Sequence, residues 1–142
     1  MTDKTYNSSL AIGETDDPNA KIESYEAAAA ITKGDPVYLS ADDKVSPAAA
    51  SQDCIGIAVK TAAQGAMCPV LVSGRVKVKA GGVINRGKAV YGADASKRVL
   101  ELADQAVDEG GAAKYSIYYN RRLGIALETT AAADDLLFIV VN

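Results

Sequence analysis

The sequence predicts one mainly β domain, on the evidence of its length, its composition and an internal repeat. The chain has 142 residues, of which 49% are hydrophobic, which is enough for one core and too few for two domains of ordinary size. Aromatic residues make up only 6% and tryptophan is absent, so small and β-branched side chains must fill this core. Such side chains favour thin β-layers.

A pattern of glycine, valine and tyrosine occurs twice, 53 positions apart. The segments AITKGDPVYLSADDKVSPA (30–48) and VINRGKAVYGADASKRVLE (83–101) share I-x-x-G-x-x-V-Y and a lysine six residues after the tyrosine. Further along, IGIAVKTAAQGAMCPVLVSG (55–74) aligns without a gap with LGIALETTAAADDLLFIVVN (123–142), at an offset of 68. The repeat predicts two similar β-units, about 27–74 and 82–142, each of which buries its apolar face by packing against the other.

The repeat also predicts the elements within each unit. A turn glycine, Gly34 or Gly87, precedes a strand through Val-Tyr, a polar turn and a second strand that begins at lysine. Gly-Ile-Ala and a closing β-rich run complete the unit. Because the offset rises from 53 to 68, the second unit contains 15 more residues, and we place this insertion within 100–122.

Helix is expected to be scarce, with at most one or two short helices. The alanine-rich segment ESYEAAAAIT (23–32) has helical propensity, but it leads directly into the I-x-x-G turn without a C-cap glycine, so we predict a strand. A short helix is predicted at LELADQAVDEG (100–110), where Leu100, Ala103 and Val107 share a face and glycines follow.

The composition argues against an enzyme. Histidine is absent, which removes His-based triads, His metal ligands and the usual proton shuttle at neutral pH. Neither a nucleotide-binding glycine loop nor a nucleophile-elbow motif occurs. The acidic pairs Asp42–Asp43 and Asp134–Asp135 fall in predicted turns, where solvation explains them, and a hydrolase or metal enzyme would need these pairs to converge. We therefore expect no catalytic residue, no metal and no cofactor.

The chain is expected to be soluble and unexported. Its N-terminus lacks the pattern of a signal peptide, and no segment approaches the roughly 18 apolar residues of a membrane span. Cys54 and Cys68 are 14 positions apart and have no further ligands for zinc, which favours two free, partly buried thiols in a reducing compartment. A disulfide between them is the alternative.

Residues 1–20 are predicted to form an extended N-terminal arm, followed by a single β-rich domain over 21–142. The segment is polar and acidic, with isolated apolar side chains at Tyr6, Leu10 and Ile12. This composition is typical of an arm that becomes ordered on a partner, and a frayed terminus is the alternative.

Charge is segregated along the chain, with a balance of −4 over residues 1–30 and +6 over residues 75–98. Strand alternation places Arg75, Lys77 and Lys79 on one face and valines on the other. Such a basic stripe suits an acidic protein surface, the acidic segments of another copy or nucleic acid; the alternative is a solvated strand face. A sequence pI of about 4.9 and the lack of interleaved aromatic residues argue against nucleic acid.

A second candidate interface lies in AAKYSIYYNRRLG (112–124). Tyrosine and arginine are the typical residues of interface hot spots because they combine a large desolvatable area with a polar end. The alternative is a strand whose tyrosines cap the core. The residues concerned are Tyr115, Tyr118, Tyr119, Arg121 and Arg122.

Short motifs follow one another in a defined order along residues 27–142. They are I-x-x-G-x-x-V-Y, K-V-x-P-A, G-I-A and V-x-V-x-G, then a second G-x-x-V-Y and a terminal G-I-A-L-E with a hydrophobic strand. In this order they resemble the small capsid decoration, or cement, proteins of tailed bacteriophages. The resemblance implies a compact domain of β-tulip-like or β-clip-like form. It also implies a structural role on the outer surface of the virion, after synthesis in the host cytoplasm.

The resemblance further implies partners and contact residues. Members of this family assemble as trimers at three-fold and quasi-three-fold positions of the expanded head, and their terminal arms bridge capsid subunits. The expected partners are therefore the major capsid protein and further copies of the chain, with neither nucleic acid nor membrane. Two sets of residues are expected to contact the capsid, Tyr6, Leu10 and Ile12 of the arm and Arg75, Lys77 and Lys79 of the basic stripe.

The tyrosine and arginine segment is then expected to form the trimer or a contact with the shell. A second hypothesis is a non-enzymatic β-clip-like module that binds a ligand or a protein. A ligand-binding module would require a pocket with convergent polar groups.

Overall fold

The computed structural model describes residues 10–102 and 122–142, and these residues form nine β-strands and no helix. The mainly β prediction is therefore confirmed. The strands are β1 (Lys21–Ala27), β2 (Pro36–Ala41), β3 (Lys44–Pro47), β4 (Cys54–Ala58), β5 (Met67–Lys79), β6 (Ala89–Gly92), β7 (Val99–Glu101), β8 (Gly124–Ala126) and β9 (Leu136–Val141).

The strands form two units that share the long strand β5. In the first unit the order is β1-β3-β2-β4-β5, and pairing of β5 with β1 closes it into a small barrel. In the second unit the order is β5-β9-β8-β6-β7, and a parallel bridge between Ala80 and Val99 brings β7 back beside the end of β5. The first part of β5 pairs with β1 up to Ser73, and the remainder pairs with β9 from Gly74 onwards.

The two units repeat one set of backbone pairings. In each unit a parallel pair joins the first strand to the third, an antiparallel bridge links the turn segments, and valine of the Val-Tyr pair faces glycine of Gly-Ile-Ala. The equivalent pairs are Ala27–Val45 and Ala80–Val99, Ile31–Ala62 and Ile84–Thr130, and Val37–Gly56 and Val90–Gly124. The sequence repeat thus reflects two similar β-units.

Each Gly-Ile-Ala glycine lies against the backbone of the neighbouring strand. A Cβ atom on Gly56 would be 2.2 Å from the carbonyl oxygen of Leu71, and one on Gly124 would be 2.1 Å from that of Val140. No side chain fits at such distances, so glycine is needed for the close approach of the strands. The predicted turn glycines, Gly34 and Gly87, also have left-handed φ angles, of 95° and 85°.

Small side chains fill the core, as the composition predicts. Inside the first unit the buried cluster is Ala27, Ile31, Val37, Val45, Ala58, Ala62, Cys68 and Val70. A larger cluster fills the second unit and its junction with the first, and it includes Ile57, Leu71, Ile84, Leu137 and Ile139. Cys54 belongs to the larger cluster and Cys68 to the smaller one, and both are free and buried, which confirms the prediction of free thiols.

Two local predictions differ from the structure. The strand expected over 23–32 ends at Ala27, because the chain bends there before Ile31 forms a single bridge with Ala62. The spacing predicts a helix over 100–110, but Leu100 and Glu101 lie in β7, where Leu100 pairs with Tyr91, and Leu102 is not helical. Residues 103–110 lie outside the described residues.

The second unit is longer than the first in the connection between its third and fourth strands. The connection from β3 to β4 spans residues 48–53, whereas the equivalent connection from β7 to β8 spans residues 102–123.

Candidate functional site

The N-terminal segment, residues 10–20, lies along the second half of β5. The amide of Gly13 donates a hydrogen bond of 2.7 Å to the carbonyl of Lys77, and the amide of Lys77 donates one of 3.1 Å to the carbonyl of Glu14. On its opposite side, Lys77 pairs with Phe138 of β9. These two bonds attach the N-terminal segment to the outer edge of β5 at Lys77.

Glycine and isoleucine at the start of this segment fit a narrow space. Gly13 has a φ of 79°, and a Cβ atom on it would lie 2.7 Å from the amide nitrogen of Gly34. Ile12 lies directly over Gly34, where a Cβ atom would be 2.4 Å from Ile12 Cγ1. Because both glycines lack a side chain, the N-terminal segment contacts the turn of the first unit closely.

Ion pairs attach the segment at two further points. Lys33 Nζ lies 2.6 Å from Glu14 Oε2, and the hydrogen bond from Lys33 lowers the pKa of the Glu14 carboxyl. Arg75 donates through Nε and Nη2 to Asp16 Oδ1, at 3.1 and 2.7 Å. The backbone amide of Arg75 also donates to Asp17 Oδ2 at 3.1 Å. The acidic segment therefore binds basic side chains of the same chain.

The basic stripe is largely covered. The side chain of Arg75 is 16% exposed, and Lys77 is 8% exposed with its Nζ 5.3 Å from the centroid of the Phe138 ring, which is a cation–π distance. Lys79 is half-buried. A plain solvated strand face is therefore the wrong interpretation for Arg75 and Lys77, because Asp16 contacts the first and the ring of Phe138 lies beneath the second. Any contact of these three residues with a neighbour stays a prediction.

The other predicted contact residues are only partly described. Leu10 and Ile12 are half-buried, so the described part of the expected arm is packed rather than free. Arg122 is exposed at the entrance to β8. The remaining predicted contact residues, Tyr6, Tyr115, Tyr118, Tyr119 and Arg121, lie outside the described residues.

The acidic pairs serve as turn residues. Asp42 and Asp43 are exposed between β2 and β3, and Asp135 Oδ2 accepts hydrogen bonds from the amides of Ala131 and Ala132, at 3.0 and 3.1 Å. Asp134 accepts a 3.1 Å bond from Arg98 Nη1. Within residues 10–102 and 122–142, no group of three acidic or cysteine side chains is arranged to hold a metal ion.

Sequence reasoning missed a second cluster of ion pairs, centred on Arg98. This guanidinium donates to Asp94 Oδ2 at 2.9 Å as well as to Asp134, and the hydrogen bond to Asp134 raises the pKa of Arg98. The two aspartates lie in different turns of the second unit, so the cluster holds these turns together.

An open depression of about 310 Å³ lies at the edge of β1 in the first unit. It is lined by Ser24, Tyr25, Glu26, Asp42, Asp43, Lys44 and Met67. Lys44 Nζ is 3.0 Å from Glu26 Oε2, and both side chains are nearly half exposed. The depression is a shallow surface on the outside of the sheet, formed where β3 begins beside β1.

Comparison with known proteins identifies the family. The family model of the phage cement protein matches residues 11–66 and 48–142, which together span nearly the whole chain. The chain belongs to the phage cement protein family. Membership makes this cement protein a structural protein of a phage virion, associated with its capsid, and confirms the resemblance found in the motifs. No curated protein sequence matches the chain.

A solved structure has a similar fold. It is described as the head fiber gp8.5 N base in bacteriophage phi29, and it matches this cement protein with a TM-score of 0.55 and 17% sequence identity. The match covers 87% of this chain and 94% of the other. Among the residues described for this cement protein, no helix is long and apolar enough to cross a membrane.

Proposed function

We propose that this chain decorates and stabilises the expanded head of a tailed phage by binding its major capsid protein from outside. The observation that carries the proposal is the family match over both units. We propose further that the chain binds as a homotrimer at three-fold and quasi-three-fold positions, after synthesis in the host cytoplasm. The same proposal gives the chain no catalytic activity and no nucleic-acid or membrane partner.

The fold suits attachment that depends on many copies. The two units share one strand, and the larger buried cluster spans their junction, so they form one packed domain. Weak contacts by each copy become firm attachment when symmetry repeats them across a shell. A decoration protein of this kind needs surface complementarity and needs no active site.

The proposed contacts follow from the position of each residue. Arg75 and Ile12 hold the N-terminal segment on the domain, and Lys77 forms the backbone bonds that align it. Leu10 and Lys79 are half-buried, and Arg122 is exposed. We propose that these three residues, with Tyr6, reach the shell. For the segment with Tyr115, Tyr118, Tyr119 and Arg121, we propose a trimer or shell contact.

Binding to undecorated expanded shells tests this function. Purified chain is mixed with shells that lack it, and the pelleted amount is measured against concentration. The proposal expects saturation at about one copy per major capsid subunit, because each local three-fold axis relates three subunits and receives three copies. Absence of pelleting at any concentration would overturn it.

Two truncated chains test the role of the arm in shell binding separately from its role in stability. Removing residues 1–9 leaves every described contact of the N-terminal segment in place, so the melting temperature should stay nearly unchanged while shell binding weakens. Removing residues 1–20 also removes the bonds to Lys77 and Arg75, so stability should fall as well. Full shell binding by the chain that lacks residues 1–9 would argue against a role for the arm.

A further inference from the structure

In the second unit the N-terminal segment covers the edge of β5 at Lys77. The first unit has an equivalent edge, on β1 at Ser24. Lys77 pairs with Phe138 in the second unit, and Ser24 pairs with Pro69 at the same place in the first. Phe138 and Pro69 are equivalent in backbone pairing, one residue from the gapless sequence alignment, since their carbonyls accept bonds from the amides of Leu127 and Val59, at 2.9 and 3.1 Å. Ser24 is therefore the counterpart of Lys77.

The backbone of Ser24 points outward, as that of Lys77 does. Pro69 has no N–H group, so it cannot form the reciprocal pair of bonds with Ser24 across the ladder. Strand β3 begins at Lys44, which pairs with Glu26, so β3 does not reach Ser24. Within the described ranges, the polar backbone groups of Ser24 thus form an open edge, which is the kind of edge that accepts an additional strand.

The two edges differ in charge. By strand pairing and the shared left-handed turn residue, Glu26 and Asp43 of the first unit stand at the places of Lys79 and Lys97, one residue from the lysine match in the sequence. Ile22 stands at the place of Arg75. The acidic segment at the covered edge is bound by basic side chains, Glu14 by Lys33 and Asp16 by Arg75. The open edge carries Glu26, Asp42 and Asp43 with one lysine, so it complements a basic segment.

We propose that the open edge at Ser24 receives an extended, lysine- or arginine-bearing segment of a neighbouring capsid subunit, paired as Gly13 and Glu14 pair with Lys77. Met67, which is 61% exposed, and the exposed Ile22 flank the edge and give such a segment an apolar contact. The identity of the partner rests on the proposed function. A second copy is the poorer occupant, because its N-terminal segment is acidic and is used within its own chain.

Two variants test the edge in the shell-binding assay. Ser24→Pro removes the outward N–H group but keeps the bonds of β1 to β5, because those use the alternate residues. Asp42→Lys places a positive charge beside the proposed basic segment, and Asp53→Lys makes the same change at an exposed site outside the depression. We expect half-saturation of shells at about fivefold higher concentration for the first two variants, which is the effect of one lost hydrogen bond or one adverse contact. Asp53→Lys should bind as the wild type does.

The outcomes separate this inference from the proposed function. If the wild type binds shells and Ser24→Pro and Asp42→Lys bind equally well, the edge inference is wrong and the proposed function stands. If Asp42→Lys and Asp53→Lys weaken binding equally, general charge explains the effect and the edge inference is also wrong. If the wild type does not bind, the proposed function fails and the inference fails with it. Thermal melting of each variant checks that the fold is intact. If Ser24→Pro is unfolded, the comparison of Asp42→Lys with Asp53→Lys decides the test.

Discussion

The amide of Gly13 donates a hydrogen bond to the carbonyl of Lys77, over 2.7 Å, and this bond places the N-terminal segment inside the fold. Residues 1–20 are predicted to form one arm, but Gly13 and Glu14 within it form backbone hydrogen bonds with Lys77 of β5. A partner that engages the arm therefore meets a segment whose inner end is already anchored, which lowers the conformational entropy that binding must remove.

The ion pair of Arg75 with Asp16 should contribute measurably to this anchoring. Arg75→Ala removes two side-chain hydrogen bonds at a site that is mostly covered, so the free energy of unfolding should fall by about 1 kcal/mol. The amide of Gly13 should exchange with deuterium faster than in the wild type, because the segment opens locally more often.

Lys44→Ala is the matched control for Arg75→Ala. It removes the Lys44–Glu26 ion pair, whose side chains are nearly half exposed, so the cost should be below about 0.5 kcal/mol. The exchange rate of Gly13 should not change. Equal effects of both substitutions on Gly13 would show that Arg75 does not anchor the segment.

The glycines of Gly-Ile-Ala should tolerate no side chain. Gly56→Ala and Gly124→Ala each push a methyl group into a backbone carbonyl, and we expect losses of about 3 kcal/mol or more in unfolding free energy. Gly82→Ala is the control, because a Cβ atom there meets nothing within 4 Å, and its effect should be below about 0.5 kcal/mol. Chemical denaturation measures all three, and a small effect at Gly56 or Gly124 would contradict the close strand approach.

Thr130 shows how the second unit departs from the first. Its buried Oγ1 accepts a 3.0 Å bond from the amide of Ile84 and donates one of 2.9 Å to the carbonyl of Gly82, whereas Ala62 stands at this place in the first unit. Thr130→Val keeps the volume but loses both bonds, so the free energy of unfolding should fall by about 2 kcal/mol. Thr129→Val, at an exposed neighbour, should cost much less, and an equal cost would mean that the two buried bonds contribute little.

The two cysteines should be unreactive in the folded protein. Burial raises the pKa of Cys54 to about 12, so only about one thiol in ten thousand is ionised at pH 8, and burial also raises the pKa of Cys68. A coloured disulfide reagent should label no thiol in native buffer and two in denaturant. If no thiol is labelled in denaturant, the two cysteines form a disulfide. If a thiol is labelled rapidly in native buffer, that cysteine is exposed to solvent.

The repeat in the sequence predicted much of the fold. Turn glycines such as Gly34 and the Gly-Ile-Ala glycines mark positions with special backbone requirements, and those requirements are visible in a sequence because few other residues meet them. The spacing that begins at Leu100 predicts a helix because local periodicity contains no information on long-range pairing, and the pairing with Tyr91 places Leu100 in a strand.

The contacts of the N-terminal segment were harder to predict. The opposite charges of residues 1–30 and 75–98 are visible in the sequence, but they do not say whether the acidic partner belongs to the same chain or to another. The choice depends on the position of Gly13 beside Gly34, which only the fold establishes. In the sequence, nothing distinguishes Gly13, which has a positive φ, from any other glycine in a loop.

Density-gradient sedimentation of the source lysate tests the central claim most directly. Each fraction is analysed for this chain and for the major capsid protein by quantitative mass spectrometry. We expect the chain in the fractions that contain DNA-filled particles, at a copy number close to that of the major capsid protein. Recovery of the chain only at the top of the gradient, as a small soluble species, would contradict its assignment as a capsid decoration protein.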